Sequence, residues 1–205
     1  MRVTYLHQYF NTPRDSGGTR SYEMARRLVS WGHRVEMITT AREPSEGFVG
    51  WKTTQEAGIR VHWLHVPYSS EMSYTKRIMA FLKFAGGAAW RASSAAGDVV
   101  FATSTPLTIA LPAVYAARRH GIPMVFEVRD LWPDLPIAIG ALKGWMPITA
   151  ARWLERFAYR NAEQIVALSP GMKEGIVSTG HPEEKVHVIP NSADMELFGV
   201  PPSAG

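Results

Sequence analysis

The chain contains no cysteine, which excludes disulfides, thiolate nucleophiles and cysteine-held metal sites while leaving the compartment open. No apolar run approaches the roughly 18 residues of a membrane-spanning helix. Only Val3, Thr4, Tyr5 and Leu6 separate Arg2 from His7 and Gln8, too few for the core of a signal peptide. These two absences predict a cytoplasmic protein, with contact at the inner face of the cell membrane left open. The dinucleotide fingerprint, the P-loop lysine and the nucleophile elbow are all missing, which disfavours NAD, ATP and serine-hydrolase chemistry. The excess of positive over negative charge is small too. A net charge of +4 suits an anionic ligand or a membrane surface, but there is no dense basic face for nucleic acid. Internal repeats, low-complexity tracts and internal linkers are also absent.

What is present is a 205-residue chain with 46% hydrophobic and 20% charged residues, enough to bury a substantial core. Its organising stretch is the start. Val3 to Leu6 reads as a buried strand, His7 to Ser16 as a loop, and Gly17-Gly18 as a turn into a helix. In that helix Tyr22, Ala25, Leu28 and Val29 recur at helical spacing. Strand, glycine turn and helix N-terminus together make an anion site, because glycine lets the backbone approach a ligand and free N–H groups point at it.

The same unit repeats downstream. Strands are predicted at 34–40, 59–66, 98–103, 123–128, 164–169 and 185–189. Helices are predicted at 74–96, from Thr105-Pro106 to about His120, at 147–160 and at 170–179. Residues 41–58, with Pro44, Gly47, Gly50 and Gly58, read as a loop, as does the proline- and glycine-rich stretch after Asp130. The alternation predicts an α/β fold: a Rossmann-like, doubly wound, mostly parallel sheet of about seven strands. One domain is expected over 1–198, with 199–205 as a tail or the start of a linker.

Several segments coincide in order and spacing: Leu6-His7-Gln8-Tyr9-Phe10 before Gly17-Gly18, Trp31-Gly32-His33, Phe126 to Pro133, Ala167 to Lys173, and Val188 to Asp194 with Phe198. In this register the chain resembles the N-terminal, acceptor-side domain of family-4, GT-B-type retaining glycosyltransferases. The branch it most resembles builds bacterial surface polysaccharides. The resemblance implies half of a GT-B fold and a sugar moved from a nucleotide sugar, such as a UDP-sugar, to an acceptor hydroxyl. It implies no cofactor or metal, and partners that include a sugar or lipid-linked acceptor and a second, donor-binding domain. That domain in the family carries two glutamates separated by seven residues. Glu155 and Glu163 have this spacing but lie outside the family's context, so the match reads as chance. Without the donor half the chain is expected to be inactive.

The resemblance also suggests roles. Gly17 and Gly18 would bring amides to the donor pyrophosphate, with a plain strand-helix turn as the alternative. Arg20 would pair with phosphate, or be merely solvated. Asp130, at a strand end, would orient the acceptor hydroxyl. Arg129 stands where relatives commonly have histidine, and would face a phosphate or pair with Glu127 or Asp130. His7, Glu127, Ser104 and Thr105 share that edge as acceptor-site candidates, although a helix cap explains Ser104-Thr105 equally well. Asn191 would sit near an inter-domain hinge, or simply end a turn. The basic, aromatic helix 74–96 suits either an anionic membrane or a core with a solvated face. His62 and His65 face opposite sides of a strand and make a poor metal pair. Two other classes remain: a stand-alone nucleotide- or sugar-binding module, and a small α/β oxidoreductase.

Overall fold

The structure is a computed structural model and describes residues 1–41, 49–68, 72–95, 97–140 and 142–192. Its centre is one eight-stranded sheet made of β1 (Arg2–Leu6), β2 (Arg34–Ala41), β3 (Trp51–Glu56), β4 (Ile59–His65), β5 (Val99–Thr103), β6 (Met124–Val128), β7 (Gln164–Ala167) and β8 (Val186–Val188). The spatial order is β3-β4-β2-β1-β5-β6-β7-β8. Every pairing is parallel except β3 with β4.

β1 is buried from Val3 to Leu6, so both its faces are covered and it lacks polar alternation. Side chains nevertheless alternate between two cores, as the two-residue period of a strand requires. Val3 and Tyr5 of β1, with Val35 and Met37 of β2, pack under α1 (Arg20–Ser30). Leu6, Ile38, Val100 and Ala102 point the other way. They meet α2 (Tyr74–Ser94), α3 (Ala110–His120), α5 (Trp145–Asn161) and α6 (Pro170–Ser178). A short helix, α4 (Asp134–Ala138), precedes α5.

Three expectations are corrected. The expected loop 41–58 contains β3, so the sheet has eight strands rather than about seven. Lys52, Thr53, Thr54, Gln55 and Glu56 give an edge strand with no buried face to betray it, and β3 is indeed exposed or half-buried throughout. Ala57 and Gly58 both have positive φ (47° and 82°), as a two-residue hairpin turn demands. The helix expected from Thr105-Pro106 begins instead with a 3₁₀ turn, Leu107–Ile109, before α3. The expected loop after Asp130 is interrupted by α4. Pro44, Gly47, Ala193, Asp194, Phe198 and the tail 199–205 lie outside the described residues.

Candidate functional site

In an open α/β sheet the ligand edge is the carboxyl end of the strands, at the point where the strand order reverses. Here the chain runs outward from β1 to β2 and β4, then crosses back to β5 beside β1, so the switch lies between β1 and β5. The residues following β1, β5, β6, β7 and β8 enclose a cavity of about 390 Å³ at that edge. It is lined by His7, Tyr9, Asn11, Gly18, Thr105, Arg129, Asp130, Leu168 and Asn191. Six of the sequence candidates thus converge on one space: His7, Gly18, Thr105, Arg129, Asp130 and Asn191. Tyr9, Asn11 and Leu168 were not anticipated. Tyr9 and Asn11 sit in the loop that precedes the glycine pair, a position that marked them out in retrospect.

The glycine turn is shaped for close approach. Gly17 has φ 133°, and a side chain there would meet the Asn11 amide at 2.6 Å. Asn11 in turn donates from Nδ2 to the Gly18 carbonyl at 3.4 Å. A Cβ at Gly18 would lie 4.0 Å from Nη2 of Arg129, so the bare glycine backbone faces that guanidinium. Thr19 makes no side-chain cap to the first turn of α1.

Arg129 and Asp130 are held by β6 and by the residues after β5. The Arg129 amide donates to Ser104 Oγ at 2.8 Å, so Ser104 is a buried positioning residue behind the cavity wall. The Thr105 hydroxyl donates to Asp130 Oδ2 at 3.5 Å. Asp130 is exposed. Among the described residues Arg129 forms an ion pair with neither Glu127 nor Asp130, leaving its guanidinium directed at the cavity. Thr105 has φ 107°, an uncommon conformation for a β-branched residue, at the rim of the same cavity.

Glu127 and Arg20 lie together just beneath. Arg20 Nε binds Glu127 Oε1 at 2.9 Å, its Nη1 donates to the Pro190 carbonyl at 2.7 Å, and its Nη2 donates to the Ile189 carbonyl at 2.8 Å. All three guanidinium nitrogens are engaged within the protein. Glu127 is fully buried and also accepts from the Thr103 hydroxyl at 3.0 Å; the Tyr5 hydroxyl donates to Thr103 at 3.1 Å. Burial, and then the Glu127 charge, push the Tyr5 hydroxyl pKa well above its ordinary value, so it stays a donor. This network ties β1, α1, β5, β6 and the end of β8 together behind the cavity. Tyr5 and Thr103 were not anticipated, since they read as ordinary strand residues.

The wider cavity, about 690 Å³, opens at the opposite, amino-terminal edge among Arg2, Arg34, Arg60, His62 and Arg91. Most of these groups already have partners: Arg2 holds Asp98 at 2.8 Å, Arg60 holds Glu36 at 3.2 Å, and Arg91 donates to His62 Nδ1 at 2.8 Å. Neither chemistry nor topology favours it over the smaller site. The two glutamates with the family's spacing also have local explanations, since Glu155 is buried on α5 and Glu163 binds Lys185 Nζ at 3.3 Å.

A glycosyl transferase 4-like domain profile matches residues 17–192 of this chain. The chain belongs to that family. Its structure is similar to sucrose-phosphate synthase from Thermosynechococcus elongatus, with a TM-score of 0.70 at 12% identity over 96% of this chain and 49% of that one. It is also similar to Anabaena HepE in complex with UDP-glucose, with a TM-score of 0.55 at 15% identity over 97% of this chain and 46% of that one. In sequence it is 29% identical over 86 residues to alpha-maltose-1-phosphate synthase of Mycolicibacterium smegmatis, covering 40% of this chain and 21% of that protein. The sheet and its helix layers are therefore those of a GT-B Rossmann-like domain. The chain spans about half the length of the solved structures, and the stretch that matches the curated relative covers about a fifth of it.

Proposed function

We propose that this chain is the acceptor-binding half of a retaining glycosyltransferase. It would help move a sugar from a nucleoside-diphosphate sugar to an acceptor hydroxyl in bacterial surface-polysaccharide synthesis, in the cytoplasm at the inner face of the membrane. The observation that carries this reading is the convergence of His7, Gly18, Thr105, Arg129, Asp130 and Asn191 on one cavity at the ligand edge, in a member of the glycosyl transferase 4-like family. The UDP-glucose bound by HepE supports a UDP-sugar donor.

In this proposal Asp130 accepts a hydrogen bond from the acceptor hydroxyl and turns its oxygen toward the sugar carbon. The bond from that carbon to the diphosphate breaks as the new glycosidic bond forms, and the proton of the acceptor hydroxyl passes to the departing diphosphate oxygen. Arg129, beside the bare backbone of Gly18, faces the negative charge that develops on the leaving diphosphate, a fixed donor that needs no reorganisation. His7 and Thr105 line the acceptor side, and Asn191 lies where the chain crosses toward a donor-binding domain. Arg20 and Glu127 act indirectly, by holding the wall from which Arg129 projects. No cofactor or metal is required.

Asp130→Asn in the full enzyme should lower kcat by about 100-fold with little change in thermal stability. Wild-type kcat in that variant would refute the assignment. The 205-residue chain alone should transfer no sugar, and robust turnover of UDP-sugars by it would overturn the half-enzyme reading. Thermal-shift screening with UDP-sugars, UDP and NAD separates the remaining classes: tight binding of UDP by this chain alone favours a binding module, and stabilisation by NAD alone favours an oxidoreductase.

A further inference from the structure

One unexplained apolar surface is the outer face of α4 and α5. Between Trp132 and Trp153, six large apolar side chains face solvent: Trp132, Leu135, Ile139, Trp145, Met146 and Trp153. Ile139 is 70% exposed and Trp145 76%. They are not overflow from the core, because α5 already buries a complete face through Ala151, Glu155, Ala158 and Tyr159. At about 100° per residue, Trp145, Met146 and Trp153 fall in one sector of roughly 120°, and Arg152, Arg156 and Arg160 fall in the same sector. Arg152 Nη2 also binds Asp134 Oδ1 at 3.1 Å, joining α5 to α4 at residues adjacent in sequence to Trp153 and Leu135.

The charge around this face is mostly positive. From 131 to 160 the cations are Lys143, Arg152, Arg156 and Arg160. The acids are Asp134, bound to Arg152, and Glu155, buried. A second copy of the chain meeting this face across a two-fold axis would set these cations against one another. An anionic surface would neutralise them. The three indole N–H groups have no protein acceptor among the described residues, leaving an apolar body with a polar tip, the chemistry that settles at lipid headgroups. No helix among the described residues is long and apolar enough to cross a bilayer, so contact would be interfacial.

We infer that the outer face of α4 and α5 docks on an anionic lipid bilayer. The Trp132 amide donates to the Asp130 carbonyl at 2.9 Å, so the docking face begins two residues from the cavity. The inference stands on the surface itself and does not depend on the reaction proposed above. The competing surface is α2, which exposes Ile78, Met79, Leu82 and Trp90.

The test is co-sedimentation of the full chain with phosphatidylcholine vesicles, plain or doped with phosphatidylglycerol, at low and high salt. The wild type should bind the doped vesicles, less so in high salt. Trp145→Ser/Trp153→Ser should weaken binding by about tenfold or more, and so should Arg156→Glu/Arg160→Glu. Met79→Ser/Leu82→Ser on α2 should bind like the wild type. All of these side chains are exposed or rim the surface, and unchanged melting temperatures would show that the variants fold; if the tryptophan pair does not fold, the arginine pair carries the test. The inference is overturned if the wild type ignores doped vesicles, if both α5 variants bind as well as the wild type, or if only the α2 variant loses binding. It is equally overturned if the wild type self-associates and Trp145→Ser/Trp153→Ser is monomeric, which would make the face a contact between copies.

Discussion

The pair Arg20 and Glu127 shows what single residues do here. An arginine on the first turn of a helix after a glycine pair reads as a phosphate ligand, and its position at the ligand edge was legible. Its partner was not. Glu127 is 107 residues away, and only the folded sheet brings the two together. With the glutamate fully buried, removing its charge strands a guanidinium that is 11% exposed. Glu127→Gln should therefore cost about 3 kcal/mol or more in urea unfolding. A loss below about 1 kcal/mol would mean water reaches the pair. Glu155 offers a second test. Burial first, and then the nearby Asp134 charge, raise its pKa from 4.5 to about 7 against the opposing pull of Arg152, Arg156 and the Tyr159 hydroxyl. The folded state thus holds this proton more tightly than the unfolded chain. The stabilisation is complete below about pH 4.5 and is lost as pH rises through about 7. Glu155→Gln should flatten that decline, by about 1–3 kcal/mol between pH 5 and pH 8, as read from urea midpoints at the two pH values.

At the scale of elements, propensity and packing disagree most clearly in α2. Gly86-Gly87 looks like a weak point in a helix, yet α2 runs unbroken from Tyr74 to Ser94. The two glycines differ in surroundings. A Cβ at Gly86 would meet nothing within 4 Å, whereas one at Gly87 would collide with Leu64 Cδ2 and touch Trp51 at 3.5 Å. At Gly87 the helix lies against Leu64 of β4 and Trp51 of β3. Gly86→Ala should accordingly stabilise by about 0.5–1 kcal/mol. Gly87→Ala should destabilise by about 1–3 kcal/mol through overpacking. Urea denaturation of both variants checks the contrast, and equal effects would refute the packing argument. The long apolar strands were readable because both their faces are buried; β3 was not, because an edge strand of polar residues carries no such signal. The 3₁₀ start of α3 escaped for a related reason: proline fits the first turn of either helix type.

For the whole molecule, the alternation of strand and helix was enough to specify a doubly wound sheet, and strand ends were enough to nominate His7, Thr105, Arg129, Asp130 and Asn191. The convergence itself was beyond the sequence, since it depends on β1 lying between β2 and β5 and on β8 closing the far side. The contacts made by Arg20 reach furthest at this scale. Its two terminal nitrogens grip the carbonyls of Ile189 and Pro190, where the chain leaves β8. β8 has only three residues and lies at the edge of the sheet. A pull on the backbone beyond Pro190 is therefore borne less by that short ladder than by a guanidinium anchored to a buried carboxylate on β6. The exit of the chain is moored to the wall of the cavity, so a tug at the one is felt as a shift in the other.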